Sequence, residues 1–581
     1  MLTYSHHISN LEVTRTLPMS FSQADGTSQK LTIGLIVDST FASKYVFDLA
    51  TWGQSQDDLS ISHLILQKTT KSHGGIHRTV KFLRQHGVWE LIRFTSFLLI
   101  TRFEAFVLRR SKHHADHLKN FDLNQAVRQS ITVQPVISKS GFVARYADQD
   151  VQSIKKLKLD VLIRCGWGIL RGEILNASRY GVISVHNGDN RVNRGGPAGF
   201  WEIFLRQTST GFIIQQLTEE LDAGNVLFRG NVRTRLFYLL NQAALYAKSN
   251  HYLKKLLKDI ASTRTLPAAE DTQIYFNPLY KRPTLRQQSS YVYRLAMQVL
   301  RDVSDRYLLR KHDRWDVAFS RSDWKTLVMW RANKLHSPPG HFLADPIVIR
   351  EGDKDYCFVE DYDYAKSKAC ISVYQLGSTK ADRLGEALVE PFHMSFPFLF
   401  RYANKIFMCP ESSDKREIRV YECTDFPLGW KLSKVLMAEI SAADTMIFEH
   451  GGMWWLFTNI DPIDQRDHSS ELFIFYADTP LTDQWTPHAK NPIFVDSTRA
   501  RNAGILFDHQ AIYRVSQIPG FNFYGKGFAI NRILRLTPTD YLEERMFAVE
   551  PNFFDNIAGT HHLHSNGPVC VFDFFSCARM R

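Results

Sequence analysis

His186 carries the clearest chemical reading in this 581-residue chain. It follows a short apolar run, Val182 to Val185, and precedes a polar, glycine-rich loop from Asn187 to Gly196. A second apolar run, Phe212 to Leu217, leads into Glu219-Glu220-Leu221-Asp222-Ala223-Gly224. The reading is therefore one imidazole and one carboxylate, each at the end of a strand, with a flexible loop between them. Histidine exchanges protons near neutral pH, and a carboxylate bonded to the imidazole orients it and favours its charged form. His186 is the expected acid/base and oxyanion donor, and Asp222 its partner. Ser184, two residues before the histidine, offers a hydroxyl to the same site.

The elements that must hold these groups are those of a Rossmann-like sheet. Residues 31–37, LTIGLIV, form a buried strand, with Asp38-Ser39-Thr40 placed to cap the next helix. Ser60 to Gln67, Thr132 to Ile137 and Leu159 to Arg164 read as further strands, with a short helix from Val151 to Leu157. After the fourth strand comes Cys165-Gly166-Trp167-Gly168-Ile169, whose glycines permit close backbone approach to a flat aromatic ligand. Pro197 suits a helix first turn, followed by the apolar Phe200, Trp201, Ile203 and Phe204. In open α/β sheets, ligands bind at the carboxyl ends of strands. With no GxGxxG, a dinucleotide is not expected.

His186, Arg194-Gly195-Gly196-Pro197, Thr210-Gly211 and Leu221-Asp222-Ala223-Gly224 occur in one order and spacing. In that combination the stretch resembles the formyltransferase family that uses 10-formyltetrahydrofolate, which includes methionyl-tRNA and sugar N-formyltransferases. The resemblance implies a formyl group moved to an amine, with 10-formyltetrahydrofolate as co-substrate. It places the pterin against Cys165, Gly166, Trp167, Gly168, Ile169, Glu220 and Leu221, and the acceptor near Asn190, Arg194, Gly195 and Gly196. The family's catalytic asparagine is Ser184 here. Its shorter reach would work through a water, or Asn187 or Asn190 would supply the donor.

Residues 76–110 read as an apolar and basic helical insertion, either packed on the sheet or docked on an anionic membrane surface. Residues 236–312 read as a helical connector after a transferase domain at 31–235. From 313 to the end, short aromatic and β-branched strands repeat about every 50 residues, as propeller blades do. Phe342-Leu343-Ala344-Asp345-Pro346, Met394-Ser395-Phe396-Pro397, Ala443-Asp444-Thr445-Met446 and Arg501-Asn502-Ala503-Gly504 mark four blade starts. This pattern is similar to the five-bladed propellers of glycoside hydrolase family 43 and to the propeller part of plant glucosamine inositolphosphorylceramide transferases. By that resemblance Asp345, Glu360, Glu411 and Asp444 face the axis, with Ser395 and Asn502 standing where the other blades would carry an acid. Three roles stay open for this part: carbohydrate binding, glycoside hydrolysis or support of the transferase. The expected fold is thus an α/β Rossmann-like domain followed by an all-β five-bladed propeller. An amino sugar or glycan precursor is the expected acceptor.

Composition bounds the remaining choices. A net charge of +12 permits an anionic substrate or surface without requiring one, and nucleic acid is not the expected partner. The seven cysteines form no CxxC pair and no zinc spacing, so no metal is expected and the thiols read as reduced. Residues 1–30 read as a disordered polar segment without a signal peptide. With no long apolar run, the expected location is cytoplasmic.

Overall fold

The computed structural model describes residues 30–68, 75–109, 116–138, 143–219, 224–271, 275, 277–308, 311–509 and 511–579. The N-terminal polar segment, Arg110, and the Glu220, Leu221 and Asp222 singled out above lie outside them. No helix among the described residues is long and apolar enough to cross a membrane. The six described cysteines with placed side chains are free thiols.

The first part of the chain forms a seven-stranded sheet. Its order is Asn225–Arg233, Ser209–Gln216, Val182–His186, Val161–Arg164, Leu31–Val37, Leu59–Gln67 and Gln129–Val133. The last five strands in that order run parallel, and the first two are antiparallel. Strands buried on both faces become apolar throughout, which is why LTIGLIV and VLI read as unbroken hydrophobic runs. Helix Lys44–Gln54 lies against the sheet through Leu49 and Ala50. The predicted cap is absent: the preceding residue is Ser43, which makes no side-chain cap bond. Asp38 is used elsewhere, as described below.

The expected connector from residue 236 belongs instead to this core. Tyr238–Thr263 forms one continuous helix. Leu245, Tyr252, Leu256, Leu257 and Ile260 on it pack with Phe212, Ile214 and Leu35 of the sheet. The 76–110 insertion is helical over Gly75–Leu108, but Gly87 breaks it at φ 80° and ψ 169°. Its second half crosses helix Leu285–Val303, whose start is fixed by a capping box between Thr284 and Gln287. Ser96 donates to Gln288, Tyr291 donates to buried Glu104, and Phe97 packs against Phe200 and Tyr238.

From Lys311 the chain is β-rich and builds five antiparallel sheets. Their innermost strands touch in succession. His341–Glu351 meets Ser395–Tyr402, which meets Ala442–His450, which meets Asn502–Asp508, which meets Leu563–Asn566. The circle closes because the last strand, Val569–Arg579, pairs along its length with the first, Lys311–Ser320. This pairing ties the two ends of the chain segment into one sheet and locks the ring, while each sheet keeps an outer edge strand.

The ring and the α/β part are joined by polar contacts. Lys248 of the long helix bonds to Glu471 of the ring with both side chains buried. Asn231 donates to Asp496 and accepts from the Ser497 amide. Arg235 donates to the Gln465 carbonyl at 3.0 Å.

Candidate functional site

A cavity of about 280 Å³ opens at the carboxyl edge of the sheet. Ile163, Arg164, Cys165 and Gly166 form one wall, Ser184, Val185 and Asn187 the next, and Val46, Leu49 and Leu253 an apolar side. Two adjacent parallel strands, Val161–Arg164 and Val182–His186, deliver the first two walls, because parallel register aligns their ends. Asn187 accepts from Ser249 at 3.2 Å. Cys165 is half-buried, and its desolvation pushes the thiol up to about 12, so it lines the cavity as a neutral group.

The loop that follows Cys165 is held by residues to which the sequence assigned no part in this site. Asp38 Oδ2 accepts from the Trp167 amide at 2.7 Å, and Oδ1 accepts from Gln67 at 3.0 Å. The Arg164 guanidinium donates to the carbonyls of Gly166 and Gly168. A Cβ on Gly166 would stand 2.6 Å from Gln67 Nε2 and 2.8 Å from Asp38 Oδ1, so this position is tight. The Trp167 ring itself is exposed. Replacing Asp38 by alanine strips two donors of their acceptor. The expected cost is about 1–2 kcal/mol in urea unfolding, with roughly tenfold weaker ligand binding at the cavity by calorimetry.

His186 stands at the end of its strand beside Ile213, and its Nε2 donates to the Asn193 carbonyl at 3.2 Å. It flanks the cavity between Ser184 and Asn187. The strand that precedes Asp222, Ser209–Gln216, does not end beside His186. Gln216, the end of the following strand, pairs with Ile183 because the two strands are antiparallel. Their carboxyl ends therefore lie at opposite edges. Glu219, just before the undescribed residues, accepts from the Gly172 amide at 2.5 Å.

The loop after His186 is bound to the protein itself. Asp189 pairs with Arg191 at 2.6 Å and with Arg229 at 2.5 Å. Burial raises its carboxyl, but these cations outweigh it and hold Asp189 below the usual range. Arg194 donates to the Asn190 carbonyl and stacks 4.4 Å from the Tyr275 ring centre. Gly195 donates to Asn193, and a Cβ there would stand 1.8 Å from the Tyr280 carbonyl. Gly196 donates to the same carbonyl. Asn190 has a buried Oδ1 with no hydrogen-bond partner. The helix expected from Pro197 starts three residues later, at Phe200, after Gly199 at φ 80°.

A second cavity, of about 240 Å³, adjoins the first through Tyr45 and Asn250, which line both. Lys44, Asp48, His251 and Lys254 line it from the α/β part, and Ile463 and Gln465 from the ring.

A separate cluster of acids lies inside the ring. Each of four innermost strands slips register at the same place: after Ala344, Ser395, Ala443 and Asn502. The next residues, Asp345, Phe396 and Asp444, all take φ between 46° and 49°. This register corrects the sequence alignment of the blades. Phe396, not Ser395, matches Asp345, and Ala503 matches in the fourth sheet, where Gly504 takes the positive φ instead. Glu360 pairs with Ala344 and Glu411 with Ser395, so these two are equivalent to each other on the second strands.

Asp345, Glu360 and Asp444 are buried. Burial pushes Asp345 up to about 7, with Asp444 and Asp573 adding to the rise and His561 opposing it. Glu360 is raised well above its ordinary range by burial and by Asp345, Glu411, Asp573 and Asp444. Asp444 is raised by burial despite Arg501, whose Nε lies 2.7 Å away. His561 sits 2.6 Å from Asp573 and 3.3 Å from Asp345, and these acids raise it against burial. Asp345, His561 and Asp573 place one ligand atom each within 4.8 Å of one another, a set that can hold a divalent cation.

Asp345 favours its neutral form when folded, so the folded chain binds more protons than the unfolded one between its two pKa values. Stability should then fall as pH rises through that window and reach its full penalty above about 7. Asp345→Asn removes this term. It should raise the melting temperature at pH about 8 by several degrees, raise it less at pH about 5, and leave it nearly unchanged below pH about 4.

A family profile described as "Glucosamine inositolphosphorylceramide transferase 1, N-terminal" matches residues 326–557. The chain is 36% identical over 210 residues to glucosamine inositolphosphorylceramide transferase 1 of Oryza sativa subsp. japonica, covering 35% of this chain and 28% of that protein. It is 36% identical over 224 residues to the Arabidopsis thaliana protein of the same name, covering 36% and 28%. The chain thus spans under a third of the length of these plant relatives. It is also 23% identical over 233 residues to methionyl-tRNA formyltransferase of Bacillus subtilis (strain 168), covering 38% of this chain and 70% of that protein. A solved thermostable family-43 glycoside hydrolase aligns with a TM-score of 0.32 at 14% identity, over 42% of this chain and 91% of that one. The N-terminal part is therefore formyltransferase-like, and a β-rich part follows it.

Proposed function

We propose that this chain is an N-formyltransferase that moves a formyl group from 10-formyltetrahydrofolate to the amino group of an amino sugar or glycan precursor. The observation that carries this reading is the cavity at the carboxyl edge of the sheet, walled by Cys165, Gly166 and Ser184, with His186 beside it. The similarity to methionyl-tRNA formyltransferases supports it. The cavity suits a flat bicyclic pterin, with backbone at Gly166 on one side, Leu49 and Leu253 on another, and hydrogen-bonding groups at Ser184 and Asn187. When bound, the folate supplies the formyl carbon as electrophile.

The chain's own residues then do three things. His186 holds the proton that must leave the attacking amine and return on the departing nitrogen. Ser184 and Asn187 offer donors for the developing oxyanion. Asp222 is proposed to orient His186. Six residues from Leu217 to Asp222 reach at most about 20 Å, against about 10 Å for the three strand steps from Ile183 to His186. We assign the acceptor to the second cavity, where Ile463 and Gln465 bring the ring into contact with the substrate. The ring is proposed to be a five-bladed propeller that selects a glycan acceptor, in keeping with the glycan-related names of the plant relatives.

The test is a transfer assay with 10-formyltetrahydrofolate and a panel of free, phosphorylated and nucleotide-linked amino sugars. Product that depends on His186 supports the reading; absence of folate binding by calorimetry would end it. The buried acids Asp345, Glu360 and Asp444 favour a second reading, glycoside hydrolysis by the ring. Release of arabinose, xylose or fructose from aryl glycosides, abolished by Asp345→Ala, would decide for it.

A further inference from the structure

Two neighbouring helices turn apolar stripes to solvent. On the segment after Gly87, Trp89, Leu99, Phe103 and Phe106 are exposed, spaced along one face at helical intervals. On Leu285–Val303 and the turn that follows, Leu300 and Tyr307 are exposed together with their apolar neighbours. The opposite faces are occupied: Phe97, Glu104, Gln288 and Tyr291 are buried where the helices cross and meet the α/β core. The most exposed large apolar side chains of the described residues, Leu308 at 79%, Trp89 at 74% and Tyr307 at 71%, all belong to this surface.

The charge around the stripes is one-sided. Arg102, Arg109, Arg286, Arg294, Arg301 and Arg306 are exposed on these helices. Of the acids, Glu104 is buried against Tyr291 and the Leu239 amide, Glu90 and Asp305 are paired with Arg93 and Arg301, and Asp302, which accepts from Gln298 at 2.8 Å, is the one exposed acid without a cationic partner among the described residues of these helices. Two of the arginines lie over aromatic rings of the same surface, Arg109 over Phe106 at 3.9 Å and Arg306 over Tyr307 at 5.9 Å. Aromatic and aliphatic side chains beside arginines that keep their heads in water match the boundary between lipid headgroups and acyl chains.

We propose that this helix pair is a docking face for an anionic lipid bilayer, with the helices lying in the plane of the headgroups. A second protein copy would need matching acids, and these helices offer it a basic face. The proposal rests on the surface alone and stands apart from the transfer reaction.

The full chain is floated with vesicles of phosphatidylcholine and with vesicles that also hold about 30% phosphatidylserine. Binding is expected to the anionic vesicles only, and it should weaken as salt is raised. Two double variants, Trp89→Ser with Phe103→Ser and Arg301→Glu with Arg306→Glu, are each expected to lower the partition coefficient at least about tenfold. All four positions are exposed, and the one ion pair lost, Arg301 with Asp305, lies at the surface where such pairs add little stability, so their melting curves should stay close to the parent. Comparison with Trp89→Phe should show that Trp89 emission shifts blue on binding. Equal binding to neutral vesicles, or unchanged binding by both variants, would overturn the proposal. So would a dimer in light scattering that the serine variant dissolves while no vesicle binding is seen.

Discussion

His186→Ala is expected to lower the rate of formyl transfer about a thousandfold while leaving the affinity for folate nearly unchanged. The reason lies in where the side chain sits. The cavity walls come from Ser184, Val185, Asn187 and the 163–166 segment, so removing the imidazole leaves the binding surface in place. What is lost is the group that carries a proton between the attacking and departing nitrogens. An interaction used only in the transition state shows up in kcat, not in KM. A structural role would look different. His186 also donates to the Asn193 carbonyl, and Asn193 in turn holds the Gly195 amide. His186→Gln can restore a donor to that carbonyl but cannot exchange protons near neutral pH. The glutamine variant should therefore recover the melting temperature and stay inactive, and the limb of the pH–rate profile assigned to the histidine should vanish in both variants. Activity within about threefold of the parent in either variant would remove His186 from the chemistry.

The largest effect on stability is expected at Lys248. Its side chain is 1% exposed and bonds to Glu471, which is wholly buried, with Asp467 at 3.8 Å. Lys248→Met keeps the length and apolar stem but leaves Glu471 as an uncompensated buried acid. Breaking such a pair costs about 3–5 kcal/mol, because the remaining group keeps its desolvation penalty without the attraction that offset it. Burial raises the Glu471 carboxyl, and Lys248 is the main opposing influence. Without the lysine, Glu471 takes a proton more readily when folded than when unfolded. The loss in the variant should then shrink as pH falls from about 8 toward 5. Adding Glu471→Leu should return most of the stability, since an apolar pair of similar volume has no charge to desolvate. The measurement is urea unfolding of the parent, single and double variants. A single-variant cost under about 1 kcal/mol would mean that Glu471 is already neutral or hydrated. Because the bond joins the long helix to the ring, the single variant should also separate the two unfolding transitions.

Much of the architecture was legible because it is written in local pattern. Largely apolar runs placed the strands at 31–37, 161–164 and 182–186 to within a few residues, since burial on both faces leaves little room for polar side chains, and the strand at 59–67 was placed despite Ser60, Ser62 and His63, which are only partly buried. The recurrence of short strands near a 50-residue period pointed to a ring of repeated sheets. Ser184 and His186 were readable as a pair at a strand end for the same local reason. The long helix at 238–263 was misplaced into a connector, because nothing in its basic, mixed pattern says which sheet its apolar face will cover.

What the tertiary structure alone decided concerns residues far apart in the chain. The blade alignment depended on a bulge that adds one residue, which put Phe396 rather than Ser395 opposite the role of Asp345. Arg194 and Gly195, read as acceptor contacts, are held against Tyr275 and Tyr280, a segment whose path no local pattern specifies. Asp38 turned from a helix cap into the anchor of a loop 129 residues away. Lys248 met Glu471 across 223 residues. The sequence by itself determined which stretches are strands and which side chains can carry a proton, because the period of burial and the chemistry of a side chain are local properties. Which of those side chains share a cavity, a charge or a proton was decided only by the folded chain, where distance is set by packing and not by position in the sequence.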